Sequence, residues 1–334
     1  MDAQRLRKSP NIAIVGSTSL LGKELREMLE DRGFPVGKLA LLETEEYAGL
    51  LQEFAGDIRI TQVISPDAFD DIDITFFACG PDIMQSYIAS GSRFPELTID
   101  MTQAGRAGTV YLHGISDVRL LRAQGYFVNP HPAAIVIARI LSRLHSASIA
   151  EWSAVTVIEP ASERGNAGVE ELQAQTVNLL NFQEIDNKVF GGQLAFNILA
   201  ERAASERSEG RILEHLESIL GKTFPRPTIS AIQAPVFHSH AFSFFVQVMS
   251  RCTVAELSAE IERNGGTIKV HTGGDDPSPV RVAGTDTIHV GRISQSPGND
   301  RSFSLWVVAD NLRVAASNAI QMAEHIMLAP ALDR

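Results

Sequence analysis

The chain has little of what would mark a secreted, membrane-borne or nucleic-acid-binding protein. Two cysteines, Cys79 and Cys252, are all it holds in 334 residues, which excludes a disulfide framework. No apolar run approaches the roughly 20 residues of a membrane span. The first, Asn11 to Val15, is too short for the core of a signal peptide and follows a polar, basic lead-in from Met1 to Pro10. Basic residues are few: 29 Lys and Arg against 40 Asp and Glu leave a net charge of −11, without the basic face that nucleic acid or an anionic membrane demands. The remainder, 44% hydrophobic and 21% charged, is an ordinary globular composition, and the length suggests two domains. The expectation is a cytoplasmic protein with neither nucleic acid nor membrane as partner.

The first half reads as a cofactor domain. Asn11-Ile12-Ala13-Ile14-Val15 is a continuous β-branched run, the mark of a buried parallel strand. It leads into Gly16-Ser17-Thr18-Ser19-Leu20-Leu21-Gly22 and then a helix from Lys23 to Asp31. Strand, glycine turn and helix form the setting in which backbone N–H groups meet a dinucleotide pyrophosphate. A bare βαβ turn is the alternative, because Ser19 stands where a middle glycine is common. A second strand, Leu39 to Leu42, ends at Glu43, an acid about 20 positions past the last glycine. Such a carboxylate hydrogen-bonds a ribose 2′-hydroxyl and repels a 2′-phosphate, so NAD is favoured over NADP if a dinucleotide binds at all. Further strands are expected at Ile58 to Ile60, Ile74 to Ala78 and Leu97 to Asp100, with a helix over Ile83 to Ser90. That alternation predicts an open, largely parallel sheet. Cys79-Gly80 closes one strand where ligands bind in such sheets. Its thiol reads as a small apolar filler, since no electropositive setting is visible to activate it.

From Ala150 the pattern changes. Glu151 to Ile158 alternates as a strand, Gly165 to Leu180 reads as a helix, and strands dominate afterwards: Thr228 to Pro235, Phe242 to Met249, Thr267 to His271, Thr287 to Ile293 and Ser302 to Val308. A helix over Val254 to Asn264 interrupts them, and a last one, Asn311 to Leu328, follows a capping Asp310-Asn311. This predicts an α+β domain whose mixed or antiparallel sheet leaves one face for a partner subunit. The expected architecture is α/β, with an N-terminal Rossmann-type dinucleotide-binding domain (residues 1–130 with 312–334) and a C-terminal α+β dimerisation and substrate domain (residues 131–311).

Several segments, in order and spacing, make the chain similar to the aspartate-semialdehyde dehydrogenase family and to its Usg-like paralogue group. They include Gly16 and Gly22, Gly33-Phe34-Pro35-Val36, Ile99-Asp100, Asn129-Pro130, Gly168 to Leu172, Ala195-Phe196-Asn197, Ala234-Pro235-Val236, Val290-Gly291-Arg292 and Ala309 to Arg313. The resemblance implies a homodimer built through the C-terminal domain, a nicotinamide cofactor, and acyl-phosphate chemistry through a cysteine thioester. It also implies that the family's catalytic loop falls on Asn129-Pro130-His131-Pro132-Ala133-Ala134, with Pro132 at the nucleophile's position. The orienting glutamine falls on Glu159, the carboxylate-clamping arginine on Gln233 and the catalytic histidine on His240. Phosphate-side residues fall on Arg106 and Arg211, with Asn129 and His131 beside the substrate. Gly80 and Cys79 join Gly16 to Gly22 and Glu43 around the cofactor.

Without a thiol, covalent catalysis through this loop is impossible. Three readings follow. The chain is a catalytically silent dimeric paralogue, or it uses His131, Glu159, His238 and His240 for acid–base work without a thioester, or Cys79 reaches the pocket from elsewhere. In the second, His238 and His240, two apart on one strand, would share a face and with His131 could hold a Zn²⁺ ion.

Overall fold

The β-branched run near the start of the chain is strand β1 (Ile12–Val15) in the computed structural model, which describes residues 9–95, 97–105, 108–122, 125–146, 150–200, 208–263 and 266–328. All four residues of β1 are buried, because a parallel strand covered on both faces has no solvent side. The chain divides into two units, Met1–Pro130 with Ala315–Arg334 and His131–Val314.

In the first unit β1 lies between β2 (Leu39–Glu43) and β6 (Ile74–Phe77), and the sheet extends through β7 (Thr98–Asp100), β9 (Tyr126–Val128) and β8 (Thr109–Val110) on one side and β5 (Gln62–Val63) on the other. Every pairing in this sheet is parallel. The expected strand at Ile58 to Ile60 does not join it. It forms β4 (Asp57–Ile60) of a separate antiparallel hairpin with β3 (Leu51–Phe54), a local pairing that a short turn, Ala55-Gly56 with both φ positive, makes available. Helices α1 (Leu20–Asp31) and α2 (Pro81–Ala89) cross between strands. One apolar cluster joins Ile12, Ile14, Leu25, Leu29, Phe76 and Phe127 to Ala316, Ala319, Ile320 and Ala323 of the last helix, α8 (Asn311–Leu328). Each large side chain taken fully from water there contributes about 1.5–3 kcal/mol.

The second unit opens with α3 (Pro132–Ser146). Its seven-stranded sheet runs in the order β11 (Leu199–Ala200), β12 (Thr228–Gln233), β10 (Ala150–Glu159), β13 (His240–Val248), β16 (Asn299–Ala309), β15 (Ile288–Ser296), β14 (Ile268–Val270). It is mixed: β10–β12 and β14–β15 are parallel and the other pairs antiparallel. Alternation sorts the faces. Ser153, Val155, Val157 and Glu159 of β10 and His240, Phe242, Phe244 and Val246 of β13 are buried, on the side where α3 and α5 (Ser208–Leu220) pack. Trp152 and Phe245 on the opposite face are each 49% exposed. Helices α4 (Gly165–Leu180), α6 (Val254–Glu262) and the short α7 (Pro279–Val282) complete the unit. Among the described residues no helix is long and apolar enough to cross a membrane.

Gly16 closes β1 with φ +82°, and a Cβ built there would lie 2.4 Å from the Cα of Cys79. Only glycine allows both the left-handed turn and that backbone approach. Gly16→Ala is therefore expected to lower stability by about 2–4 kcal/mol, measured by urea unfolding; a loss below about 0.5 kcal/mol would contradict this packing.

Candidate active site

The glycine turn ends three residues earlier than expected. Helix α1 starts at Leu20 rather than Lys23, because Ser19 caps it: its Oγ accepts from the Gly22 N–H at 2.9 Å and donates to the Ala78 carbonyl at 2.8 Å. Ser19 thus ties the loop to the end of β6 where a middle glycine would leave a gap. Glu43, 2% exposed at the end of β2, turns its Oε1 onto the same loop, accepting from the Thr18 N–H at 2.5 Å and the Ser17 hydroxyl at 3.2 Å. Glu45 and Glu46 are exposed in the following turn. The N–H groups of Leu20 and Leu21, in the first turn of α1, have no acceptor within the helix, as at any helix start. The loop, the turn at Gly16 and the end of β6 at Cys79-Gly80 are brought together. Cys79 is buried, and burial with the nearby Asp100 carboxylate pushes its thiol far above the ordinary range, the opposite of what a nucleophile needs.

Asn129, expected beside substrate, has both ends of its amide engaged within the first unit. Its Nδ2 donates to the Ala315 carbonyl at 3.2 Å and its Oδ1 accepts from Asn318 Nδ2 at 2.7 Å, while Asn318 also holds Tyr111 and His113. It clamps the end of β9 to α8. Arg106 lies outside the described residues.

In the second unit, His131 precedes α3 and caps it: its Nδ1 accepts from the Ala133 N–H at 3.1 Å, with Pro132 at the first helical position. The other ring nitrogen of His131, Nε2, lies 3.1 Å from Oε1 of Glu163. Oε2 of the same carboxylate lies 3.3 Å from Nε2 of His240. Asn311 completes the cluster. Its Oδ1 accepts from the Ser162 hydroxyl and the Ser239 N–H, each at 3.1 Å, and its Nδ2 reaches Glu163 Oε2 at 3.5 Å. Beneath His131, its own N–H donates to His215 Nδ1 at 2.9 Å. His240 is fully buried; its Nδ1 has no partner among the described residues, and its Nε2 meets Glu163 off-line without a completed hydrogen bond.

The charges follow from this packing. Burial raises the Glu163 carboxyl, but His131, His240 and Arg164 outweigh it and hold the group below the usual carboxylate range. His240 is pushed down to about 4 by burial, against the pull of Glu163. His215 is pushed down to about 3, chiefly by burial, with His131 and Arg211 adding to it. Both imidazoles are neutral at pH 7, and the carboxylate is ionised.

Glu159 and Gln233 are cross-strand neighbours on β10 and β12, both buried, with the Gln233 amide donating to the Glu159 carbonyl at 2.9 Å. Arg211 is exposed on α5. His238 is a correction. It lies in a bend before β13, half-buried, and Ser239 between it and His240 has φ +74°. That turn breaks the strand alternation, so the two histidines do not share a face. Among the described residues no group of three His, Cys, Asp or Glu is placed to hold a metal ion. Glu163, His215 and Asn311 were not legible as site residues: Glu163 sits in an ordinary polar turn, Asn311 reads as a helix cap, and Asp310 is the residue that caps α8 through Leu312 and Arg313.

A parallel sheet with a glycine turn at its first crossover and a second, mixed-sheet unit carrying buried histidines define a two-domain nucleotide-binding class of protein. The description "Semialdehyde dehydrogenase, NAD binding domain" matches residues 11–124, and "Semialdehyde dehydrogenase, dimerisation domain" matches residues 141–314. The chain belongs to the semialdehyde dehydrogenase family, with a Rossmann-like N-terminal domain. It is 27% identical to the aspartate-semialdehyde dehydrogenase of Rickettsia conorii, over 96% of this chain and 99% of that one. It is 30% identical to a USG-1 protein homolog of Azotobacter vinelandii, over 94% and 96%. Among solved structures, aspartate semialdehyde dehydrogenase II of Vibrio cholerae complexed with ASA superposes with a TM-score of 0.87 at 26% identity, covering 96% of this chain and 98% of that one.

The histidine shifts give the site a pH signature. His215 and His240 are neutral in the fold but accept protons near 6.5 once unfolded. Their stabilising effect is present in full above about pH 6.5 and is lost as pH falls through about 4 and 3. Stability is expected to drop by roughly 1–2 kcal/mol per pH unit below pH 6, followed by thermal unfolding. His215→Gln keeps an acceptor for the His131 N–H and should shallow that slope; an unchanged slope would show that His215 is protonated in the fold.

Proposed function

We propose that this member of the family has lost thioester chemistry and acts as a dimeric paralogue that binds a dinucleotide and a small ligand without making or consuming an acyl phosphate. The observation that carries this is the Glu163 carboxylate lying between His131 and His240. A histidine paired with a cysteine activates the thiol by taking its proton. Here the histidine faces a carboxylate, and Pro132, at the position where the family resemblance puts the nucleophile, begins a helix and has no side-chain nucleophile. Glu159 and Gln233 in place of a neutral amide and a guanidinium remove the groups that would orient an aspartyl substrate. The apolar, open sheet face around Trp152 and Phe245 suits a second copy of the chain, in keeping with the matched dimerisation domain.

The dinucleotide reading favours NAD. Residues Gly16 to Gly22 would face the pyrophosphate, and a nicotinamide group bound there would supply hydride chemistry. Glu43, already seated on the loop, meets a ribose hydroxyl well and a 2′-phosphate badly, through like-charge repulsion. Non-covalent acid–base chemistry at His240 is a second reading, favoured by its unpartnered Nδ1.

Purified protein incubated with aspartate semialdehyde, phosphate and either NAD or NADP is expected to form no NADH or NADPH; steady formation of either overturns the proposal. Calorimetric titration is expected to give NAD binding at least about tenfold tighter than NADP, and Glu43→Ser should narrow the gap. Equal affinities in the unaltered protein would remove Glu43 as the discriminating group.

A further inference from the structure

Gln233, Glu159 and His240 lie in one row across the inward face of the second sheet. Glu159 pairs with Gln233 across β10 and β12, and Glu159 and His240 directly follow the last β10–β13 bridge, Ile158 with Ala241. Alternation turns all three inward, at 7%, 2% and 0% exposure. Buried polar atoms are nearly always hydrogen-bonded, yet Gln233 Oε1, His240 Nδ1 and Ser239 Oγ have no partner among the described residues. The Gln233 amide cannot be turned round to hide this, because its Nε2 donates to a carbonyl, which only accepts. The carboxylate of Glu163, 3.3 Å from His240 Nε2, favours the ring proton on that nitrogen even though their alignment completes no hydrogen bond, which leaves a lone pair on Nδ1. His131 offers no alternative, since one ring nitrogen caps α3 and the other faces Glu163. Ser239 holds its left-handed φ of +74° next to His240, and such strain is retained where the surroundings enforce it, often at ligand sites.

Resting on the reading that this pocket no longer serves thioester chemistry, we propose that the row is a binding site for a small molecule bearing an amine or hydroxyl group, in place of a carboxylate. The atoms that await a partner are acceptors at Gln233 and His240, with the Ser239 hydroxyl able to play either part. A ligand N–H or O–H group completes them. A carboxylate would bring only further lone pairs, beside the carboxylates of Glu159 and Glu163. Glu163, with 15% of its side chain exposed, marks the solvent edge of the cluster. It is a positioning residue: it sets the orientation and proton of His240 and leaves Nδ1 for the ligand.

The test uses the full-length protein, ¹⁵N-labelled at histidine, with the ring resonances of His240 followed by NMR. Propylamine, propan-1-ol and propionate are titrated separately at equal concentration. The amine or the alcohol is expected to move the His240 signals saturably, with propionate at least about tenfold weaker; which of the two binds better tells an ammonium ligand from a hydroxyl one. Gln233→Met, of similar length and without the acceptor, should weaken the donor probes. Gln233→Arg should reverse the preference towards propionate. Circular dichroism reports whether each variant folds, and the result on the unaltered protein stands without them. Propionate binding as well as the other two, or no saturable shift with any probe so that the row holds only water, overturns the proposal. These titrations need no turnover, so a failure here is separable from a failure of the preceding reading, which the appearance of NADH or NADPH would reveal.

Discussion

A carboxylate largely shielded from water, with two imidazoles beside it, is the constraint around which the second unit is arranged. Glu163 sits in the turn after β10, His131 at the start of α3, His240 at the start of β13, and Asn311 at the start of α8. Four separate stretches of chain converge on one charged group. Stripping a carboxylate of water costs several kcal/mol unless donors replace the water, so none of the four can move away without stranding it. Ser239, with its left-handed φ, gives its N–H to Asn311, and the imidazole that caps α3 turns its far nitrogen to Glu163.

The first unit shows a related economy at its glycine turn. Glu43 is seated on the Thr18 N–H and the Ser17 hydroxyl, and Ser19 satisfies the Gly22 N–H. Part of the loop's donor capacity is therefore met from within the chain, and Glu43 belongs to the loop as much as to β2. A ligand approaching that turn meets a carboxylate already in place. Cys79, against which Gly16 packs, belongs to the floor of the turn. Its burial near Asp100 makes it an inert apolar filler.

Much of the architecture was legible because it rests on local pattern. Continuous β-branched runs gave the parallel strands, alternation gave β10 and β13, and Asn311 to Leu328 was readable as one helix. Where reading failed, a neighbour in space had decided the outcome. The run at Ile58 found a hairpin partner rather than the main sheet. Helix α5, absent from the expected elements, carries Ile212, Leu216 and Ile219 at helical spacing and buries them. His238 and His240 looked like one face of a strand until a single positive φ at Ser239 separated them.

The sequence alone determined the kind of protein: a glycine turn between strand and helix and an acid at the end of the second strand are local facts of residue order. Only the tertiary structure decided which side chains meet around Glu163. Glu163 lies 32 residues after His131 and 77 before His240, and no periodicity relates the three. They meet because burying a charge requires partners from wherever the fold can supply them, and that requirement acts through space.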